Sequence, residues 1–396
     1  MNKVLENIKR KAAELASQTV ETRNHLHAHP ELSFKEYKTA AYIAEKLRAM
    51  GLEPKEGVAE TGVVAMIEGK KPGNKVIALR ADIDALPIIE TNELPYTSKN
   101  QGVMHACGHD VHTASLLTTA EILNGMRDHF SGRIKLIFQP GEEKAPGGAY
   151  KMIEDGVLED PRPDAILGQH VMVQIPVGKV GIRSGLYMAS ADEIYFSVKG
   201  KGGHGAMPDK NIDPVLITSH IIVALQQVVS RNANPLMPSV LSIGRIFADG
   251  ATNIIPNEVQ VAGTFRTLDE TWRADALKRI RKMAVHIAEG MGGTCEFNII
   301  KGYPALINEE KLTQKTKAFA VDYMGAENVV DLDIWMASED FAYFSQEIDA
   351  CFYRLGVSNK DKGIISNVHT PTFNIDEKAL EIGSGLMTWL CINNLS

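Results

Sequence analysis

From Lys3 to about Leu26 apolar residues recur at helical spacing with charges between them, and Tyr37 to Met50 repeats the pattern up to Gly51, a residue that ends helices. The spacing predicts two surface helices. Three short apolar runs follow: Val76 to Leu79, Ile134 to Phe138 with Lys135 inside it, and Ala165 to Leu167. Each has the length of a buried strand. Between the first two lies Asp110 to Met126, apolar at Val111, Ala114, Leu117 and Leu123, which is long enough for a crossover helix. Such alternation predicts an α/β fold with a mostly parallel sheet. Each run also ends in polar residues. Leu79 leads into Arg80-Ala81-Asp82-Ile83-Asp84, Phe138 into Gln139-Pro140-Gly141-Glu142-Glu143, and Leu167 into Gly168-Gln169-His170. Ligands collect beyond the carboxyl ends of parallel strands, so these groups are expected to converge on one crevice.

From about Gly181 the pattern changes to strand (Ile194, Phe196, Val198), helix (Pro214 to Ser230), strand (Val240 to Phe247), strand (Glu258 to Phe265), helix (Thr271 to Gly290) and strand (Cys295 to Ile300). This β-α-β-β-α-β order matches a ferredoxin-like α+β sandwich. An α/β pattern resumes at Leu312 to Tyr323 and Cys351 to Leu355, so the sandwich reads as an insertion. The expected domains are 1–182 with 303–396, discontinuous, and 183–302. Two domains also suit a chain of 396 residues, since single cores stop growing at about 250–300 residues.

With 44% hydrophobic and 23% charged residues the chain is neither disordered nor fibrous, and a net charge of −7 argues against nucleic-acid or anionic-membrane partners. Met1 to Arg10 has no apolar signal-peptide core, and no stretch approaches the roughly 18 apolar residues of a membrane span. A cytoplasmic location is expected. Four scattered cysteines suit a reducing compartment, where a special cysteine serves chemistry.

The candidate is Cys107. His105-Ala106-Cys107-Gly108-His109-Asp110-Val111-His112 gathers a thiol, three imidazoles and a carboxylate at the start of the crossover helix. The positive end of that helix is expected to favour a thiolate, the metal-binding form. A Cys-His nucleophile pair is the rival reading, weakened by the paired carboxylates downstream. Glu142 and Glu143 follow a strand through a Pro-Gly turn, so one can bind a cation while the other stays free as a base, as metal-assisted hydrolysis needs. Alone, the pair also reads as a solvated loop. His170 gains weight from its place after a strand, whereas His369 sits in a loop without periodicity. His25, His27 and His29 read as structural. In Gly200 to Pro208, dense in glycine, His204 either donates to an oxyanion or marks a tight turn.

Together these residues resemble the M20 family of metallopeptidases, within it the amidohydrolase branch of N-acyl-L-amino acid, hippurate, auxin-conjugate and N-acetyldiaminopimelate hydrolases. The likeness runs through Leu26 to Leu32, Arg80 to Pro87, His105 to His112, Gln139 to Glu143, Gly202 to Pro208, Asn253 to Pro256, Ser338 to Phe341, and His369. It implies a zinc-peptidase-like catalytic domain with an inserted lid and dimerisation domain. It implies two divalent metal ions, zinc or manganese with cobalt or nickel as alternatives, held by Cys107, His109, Glu143, His170 and His369. Glu142 would be the general base that activates a bridging water, and Asp82 the second catalytic carboxylate. Arg80 stands where the wider peptidase family has a metal-binding histidine, which argues against aminopeptidase activity. By the same likeness His204 would stabilise the oxyanion, Asn253 and Arg266 would hold the substrate carboxylate, and the chain would form a homodimer through the lid. The implied reaction is hydrolysis of a small-molecule N-acyl amino acid. The rivals are a dipeptidase or broader-range carboxypeptidase, and a catalytically silent metal-binding protein, which a broken ligand or base set would mark.

Overall fold

The computed structural model describes residues 2–395. The chain begins with helices α1 (Asn2–Ala28) and α2 (Tyr37–Ala49), then strands β1 (Lys55–Val58), β2 (Gly62–Glu68) and β3 (Lys71–Asp82). Helix α3 (His109–Asn124), β4 (Ser131–Gln139), α4 (Gly148–Glu154), β5 (Ala165–Pro176), β6 (Val180–Ile182) and β7 (Gly185–Met188) follow. A second series comprises β8 (Asp192–Lys199), β9 (Gly203–His204), α5 (Pro214–Gln227), β10 (Ser239–Ala248), β11 (Ile254–Ile255), β12 (Glu258–Thr267), α6 (Glu270–Gly290) and β13 (Thr294–Lys301). The described chain closes with β14 (Leu306–Asn308), α7 (Glu310–Met324), β15 (Val329–Asp331), α8 (Ala342–Glu347), β16 (Asp349–Ser358) and α9 (Lys378–Asn394). Among the described residues, no helix is long and apolar enough to cross a membrane.

Two compact units result. The larger comprises Met1–Gly185, Ile307–Asp333 and Asp340–Ser396, the smaller Leu186–Leu306 and Ile334–Glu339. The division differs from the expected domains by a few residues at each crossing. It also gives Ile334–Glu339, expected in the larger domain, to the smaller unit. That second excursion is held by main-chain pairing, since Ala189 N–H bonds the carbonyls of Trp335 and Ala337 at 3.2 and 3.1 Å, a partnership that no local sequence pattern announces.

In the larger unit an eight-stranded sheet runs in the order β1-β2-β4-β3-β5-β16-β6-β15. Its centre is parallel: β3 pairs with β4 and β5, and β16 with β5. The flank β1-β2 is antiparallel. Helix α3 makes the crossover from β3 to β4, and register then does the positioning. Asp82 lies opposite Gln139, Arg80 opposite Gly168, and Arg354 opposite His170, so the polar strand ends stand level at one edge of the sheet. Ile77, Leu79, Leu136, Phe138, Leu167 and Leu355 fill the core beneath them. Each such side chain contributes roughly 1.5–3 kcal/mol on full burial.

The smaller unit holds a four-stranded antiparallel sheet in the order β10-β12-β8-β13 with α5 and α6 on it. Numbered within the unit, that is the 4-1-3-2 arrangement of a ferredoxin-like fold, as the element order predicts. Asp213 caps α5 through Val215 and Leu216 N–H, and Asp269 caps α6 through Trp272 N–H at 2.6 Å.

Candidate metal centre

Cys107 precedes α3 in a turn only glycine can make. Gly108 has φ +84°, and a Cβ there would lie 2.6 Å from Val171. The turn lets Cys107 Sγ approach His170 Nε2 at 3.4 Å and His369 Nε2 at 3.3 Å. Glu143 Oε1 is 3.2 Å from the same His369 nitrogen. His369 itself has φ +62°, a left-handed conformation that costs about 1–2 kcal/mol outside glycine. Its N–H holds the Ala106 carbonyl at 2.7 Å, which secures that backbone. Two overlapping sets of donors form, Cys107 with His109 and His170, and Cys107 with Glu143 and His369, each with its ligand atoms within 4.8 Å of one another.

The imidazoles are oriented for a cation. His170 Nδ1–H donates to the Val171 carbonyl at 2.8 Å, which leaves the Nε2 lone pair facing the thiol. His109 Nδ1–H is shared between the Asp84 carbonyl at 3.0 Å and Asp84 Oδ1 at 3.1 Å, while its Nε2 is buried without a hydrogen-bond partner. Carboxylate or carbonyl partners on the far nitrogen are the usual support for metal-binding histidines. An orphaned buried nitrogen beside a thiol, a second imidazole and a carboxylate fits divalent ions well. His112 is different. It accepts the Val171 N–H at 2.9 Å on Nε2 and donates from Nδ1 to Asp82 Oδ1 at 2.5 Å, so both nitrogens are committed.

Electrostatics follow from burial. Burial opposes the Asp82 charge, but Arg80, then His109 and His112, outweigh it and hold the carboxyl well below the usual range. His170 is pushed well down, by burial first and then Arg354, and stays neutral. His369 is raised to about 10 by its bonds to Cys107 and Glu143. Cys107 corrects the sequence expectation. Its thiol is raised by burial and then by Glu143, against the pull of His109 and His369. The residue lies before the cap at Gly108 and not in the first helical turn, so the helix end does not by itself ionise it; a bound cation has to displace the proton.

Glu142 is buried with Oε2 3.9 Å from His109 Nε2, and Asp340 N–H reaches its Oε1 at 3.4 Å. The backbone of this loop is fixed from outside. Gly141 has φ +59° against the Phe34 ring, its N–H donates to Glu36 Oε1 at 2.9 Å, and Glu143 N–H donates to Asp84 Oδ2 at 3.0 Å. Arg80 forms the base of the site. Its guanidinium bonds Gln139 at 2.8 Å, Asp82 at 2.6 Å and Asp340 at 2.9 Å, all buried. Asp84, Glu36 and Asp340 escaped assignment in the sequence. Asp84 and Asp340 stand in quoted motifs, whereas nothing near Glu36 marks it.

The remaining candidates fall into separate groups. His204 and Asn253 meet in the smaller unit, where Gly205 N–H donates to the Asn253 carbonyl at 2.9 Å and His204 pairs across from Ile254. Ala206 N–H donates to His204 Nδ1 at 3.0 Å, so the hydrogen lies on the exposed Nε2. Arg266, on β12, reaches Ser338 Oγ at 3.4 Å, and Asp269 is occupied as a helix cap. In the larger unit, His27 is buried between Asp110 at 2.8 Å and Glu90 at 3.1 Å, and His25 stacks on Tyr42.

Residues 78–392 match the model of peptidase family M20/M25/M40. The chain is 44% identical over 306 residues to an N-acyl-L-amino acid amidohydrolase of Geobacillus stearothermophilus, covering 77% of this chain and 82% of that one. It is 39% identical to thermostable carboxypeptidase 2 of Saccharolobus solfataricus over 96% of both. Among solved structures, a Bacillus subtilis protein described as a dinuclear metal binding peptidase from the M20 family superposes with a TM-score of 0.83. It is 35% identical, with 97% of this chain and 99% of that one covered.

Proposed function

The chain belongs to peptidase family M20/M25/M40 and is a metal-dependent hydrolase, and from that premise we propose that it hydrolyses N-acyl-L-amino acids to a carboxylate and a free amino acid. One observation carries the reading: a buried carboxylate, Glu142, stands beside two preorganised donor sets that share Cys107. Two divalent ions would be held by Cys107, His109, Glu143, His170 and His369. Zinc suits the thiolate and imidazoles, with manganese, cobalt or nickel as alternatives. When bound, such ions supply Lewis acidity at the amide carbonyl and acidify water.

Glu142 takes the proton of the attacking water and returns it to the leaving amine. Asp82 acts by positioning, since His112 and Arg80 hold both of its oxygens. His204 is assigned the oxyanion, because its Nε2–H is its free donor edge. Arg266 and Asn253 are assigned the substrate carboxylate, for which a planar guanidinium is the natural partner. We also assign a homodimer and a cytoplasmic location. The dimer would form through the smaller unit, whose edge strand β10 exposes Val240, Ile246 and Phe247.

The test is a panel of N-acetyl, N-benzoyl and N-indoleacetyl amino acids beside N-blocked dipeptides, run before and after chelation. Rapid, chelator-sensitive release of the amino acid from the simple acyl substrates supports the proposal. Preference for the blocked dipeptides supports instead the carboxypeptidase reading that the Saccharolobus relative's name favours.

A further inference from the structure

Gly141-Glu142-Glu143 carries the proposed base and a proposed metal ligand in adjacent positions, so one placement of its backbone sets both. Two turns far earlier in the chain brace it. The first lies between α1 and α2. Ser33 Oγ donates to Asp84 Oδ2 at 2.6 Å, the same oxygen that accepts the Glu143 N–H at 3.0 Å. The Phe34 ring stands where a Cβ on Gly141 would come within 2.4 Å, and Lys151 Nζ lies 4.0 Å from its centroid. Glu36 Oε1 accepts the Gly141 N–H at 2.9 Å. The second turn, between β1 and β2, supplies Thr61, whose hydroxyl donates to Glu36 Oε2 at 2.6 Å.

Both turns use unusual backbone. Phe34 has φ +61°, Ala59 +52° and Glu60 +77°, three of the five non-glycine residues with positive φ among the described residues. Such conformations persist only where the surroundings enforce them, and they gather at functional sites. Here Ala59 N–H is held by Asp155 Oδ2 at 2.7 Å, and Lys151 Nζ bonds Glu60 Oε1 at 2.7 Å. Glu36 itself is fully buried and belongs to none of the donor sets. Burying a carboxylate is costly. An apolar side chain would fill the same space without that cost, but would leave the buried Gly141 N–H without an acceptor.

We propose that Glu36, supported by Thr61, is a positioning residue for the hydrolysis: it fixes the Gly141 backbone and through it the reach of Glu142 and the place of Glu143. The inference rests on the roles proposed above for these two glutamates. Loss of a group that orients a metal ligand typically costs about 10- to 100-fold in metal affinity or activity, and a displacement of about 1 Å at the reacting groups can cost about 10² in rate.

The test compares Glu36→Ala, Glu36→Gln and Thr61→Val with the wild type, each checked for folding by circular dichroism. Zinc-loaded proteins are assayed on an N-acyl amino acid, and zinc affinity is read without substrate by competition with a chelator. Glu36→Ala should lower kcat about 10- to 100-fold with KM within about threefold, and should weaken zinc binding about tenfold. Glu36→Gln keeps an oxygen for the Gly141 N–H and should restore kcat and zinc affinity to within about threefold of the wild type. Thr61→Val exchanges the hydroxyl for a methyl. Alone it should lower kcat about three- to tenfold, and on top of Glu36→Ala it should lower it no further. Should Glu36→Ala fail to fold, Thr61→Val decides: a folded variant with wild-type kcat overturns the proposal. So does a folded Glu36→Ala with wild-type kcat and zinc affinity, or a glutamine variant no better than the alanine one. A wild type that turns over no N-acyl amino acid removes the functional reading, while a zinc affinity weakened in Glu36→Ala and restored in Glu36→Gln still supports the brace.

Discussion

Glu36 lies fully buried at the start of α2, with one oxygen on the Gly141 N–H and the other accepting the Thr61 hydroxyl at 2.6 Å. Burial first, then the nearby Asp84 charge, raises its carboxyl to about 7. An unfolded glutamate titrates near 4.3, so the folded state binds more protons between these values and Glu36 costs stability as pH rises through about 7. Glu36→Gln mimics the protonated form without titrating. Relative to wild type it should gain stability from pH 5 to pH 8, by up to about 3 kcal/mol, as urea denaturation at the two values would measure. A constant difference would mean that Glu36 titrates normally. A second residue-scale expectation concerns Cys107, which both donor sets share. Cys107→Ser should lose metal by elemental analysis while the fold persists, whereas full metal content would move the thiol out of the site. The grouping of Cys107, His109, Glu142 and Glu143 was legible because those residues crowd into short motifs. The protonation of Cys107 was not, because burial and the Glu143 charge come from a fold that local sequence does not describe.

At the scale of elements, the strands that bear the site could be read from their apolar runs, and their level ends follow from parallel pairing. Helix α9 left no such trace. It is buried along almost all of its length, so it lacks the polar face that makes a helix periodic. The network that joins the strand ends was equally silent, because Arg80 and Asp340 are 260 residues apart. Asp340 also receives Gln139 Nε2 and Ala149 N–H, which ties β4 and α4 to the site. Removing one member of a buried ion pair usually costs about 3–5 kcal/mol, because the other charge is left uncompensated. Asp340→Asn should therefore lower the unfolding free energy by a value of that order and reduce activity through the Glu142 loop. Chemical denaturation with an activity assay checks both, and a change below about 1 kcal/mol would leave Arg80 adequately held by Asp82 and Gln139.

At the scale of the whole molecule, the change from an α/β to a ferredoxin-like pattern revealed the insertion, while the return of Ile334–Glu339 to the smaller unit depends on pairing far along the chain. The two edges of the smaller sheet differ. On β13 Ile300 is exposed beside the charge of Lys301, which discourages strand addition, whereas β10 exposes the larger apolar pair Ile246 at 58% and Phe247 at 52% beside Arg245. The proposed homodimer uses the β10 edge, so Phe247→Lys should halve the mass found by light scattering, and an unchanged mass would place the interface elsewhere. Replacing Glu142 by glutamine separates its role as the base of a metal-assisted hydrolysis from metal binding. Turnover of an N-acyl amino acid by Glu142→Gln should fall by at least about 10² while metal content stays at the wild-type level; near-normal turnover with the metals in place would contradict the account.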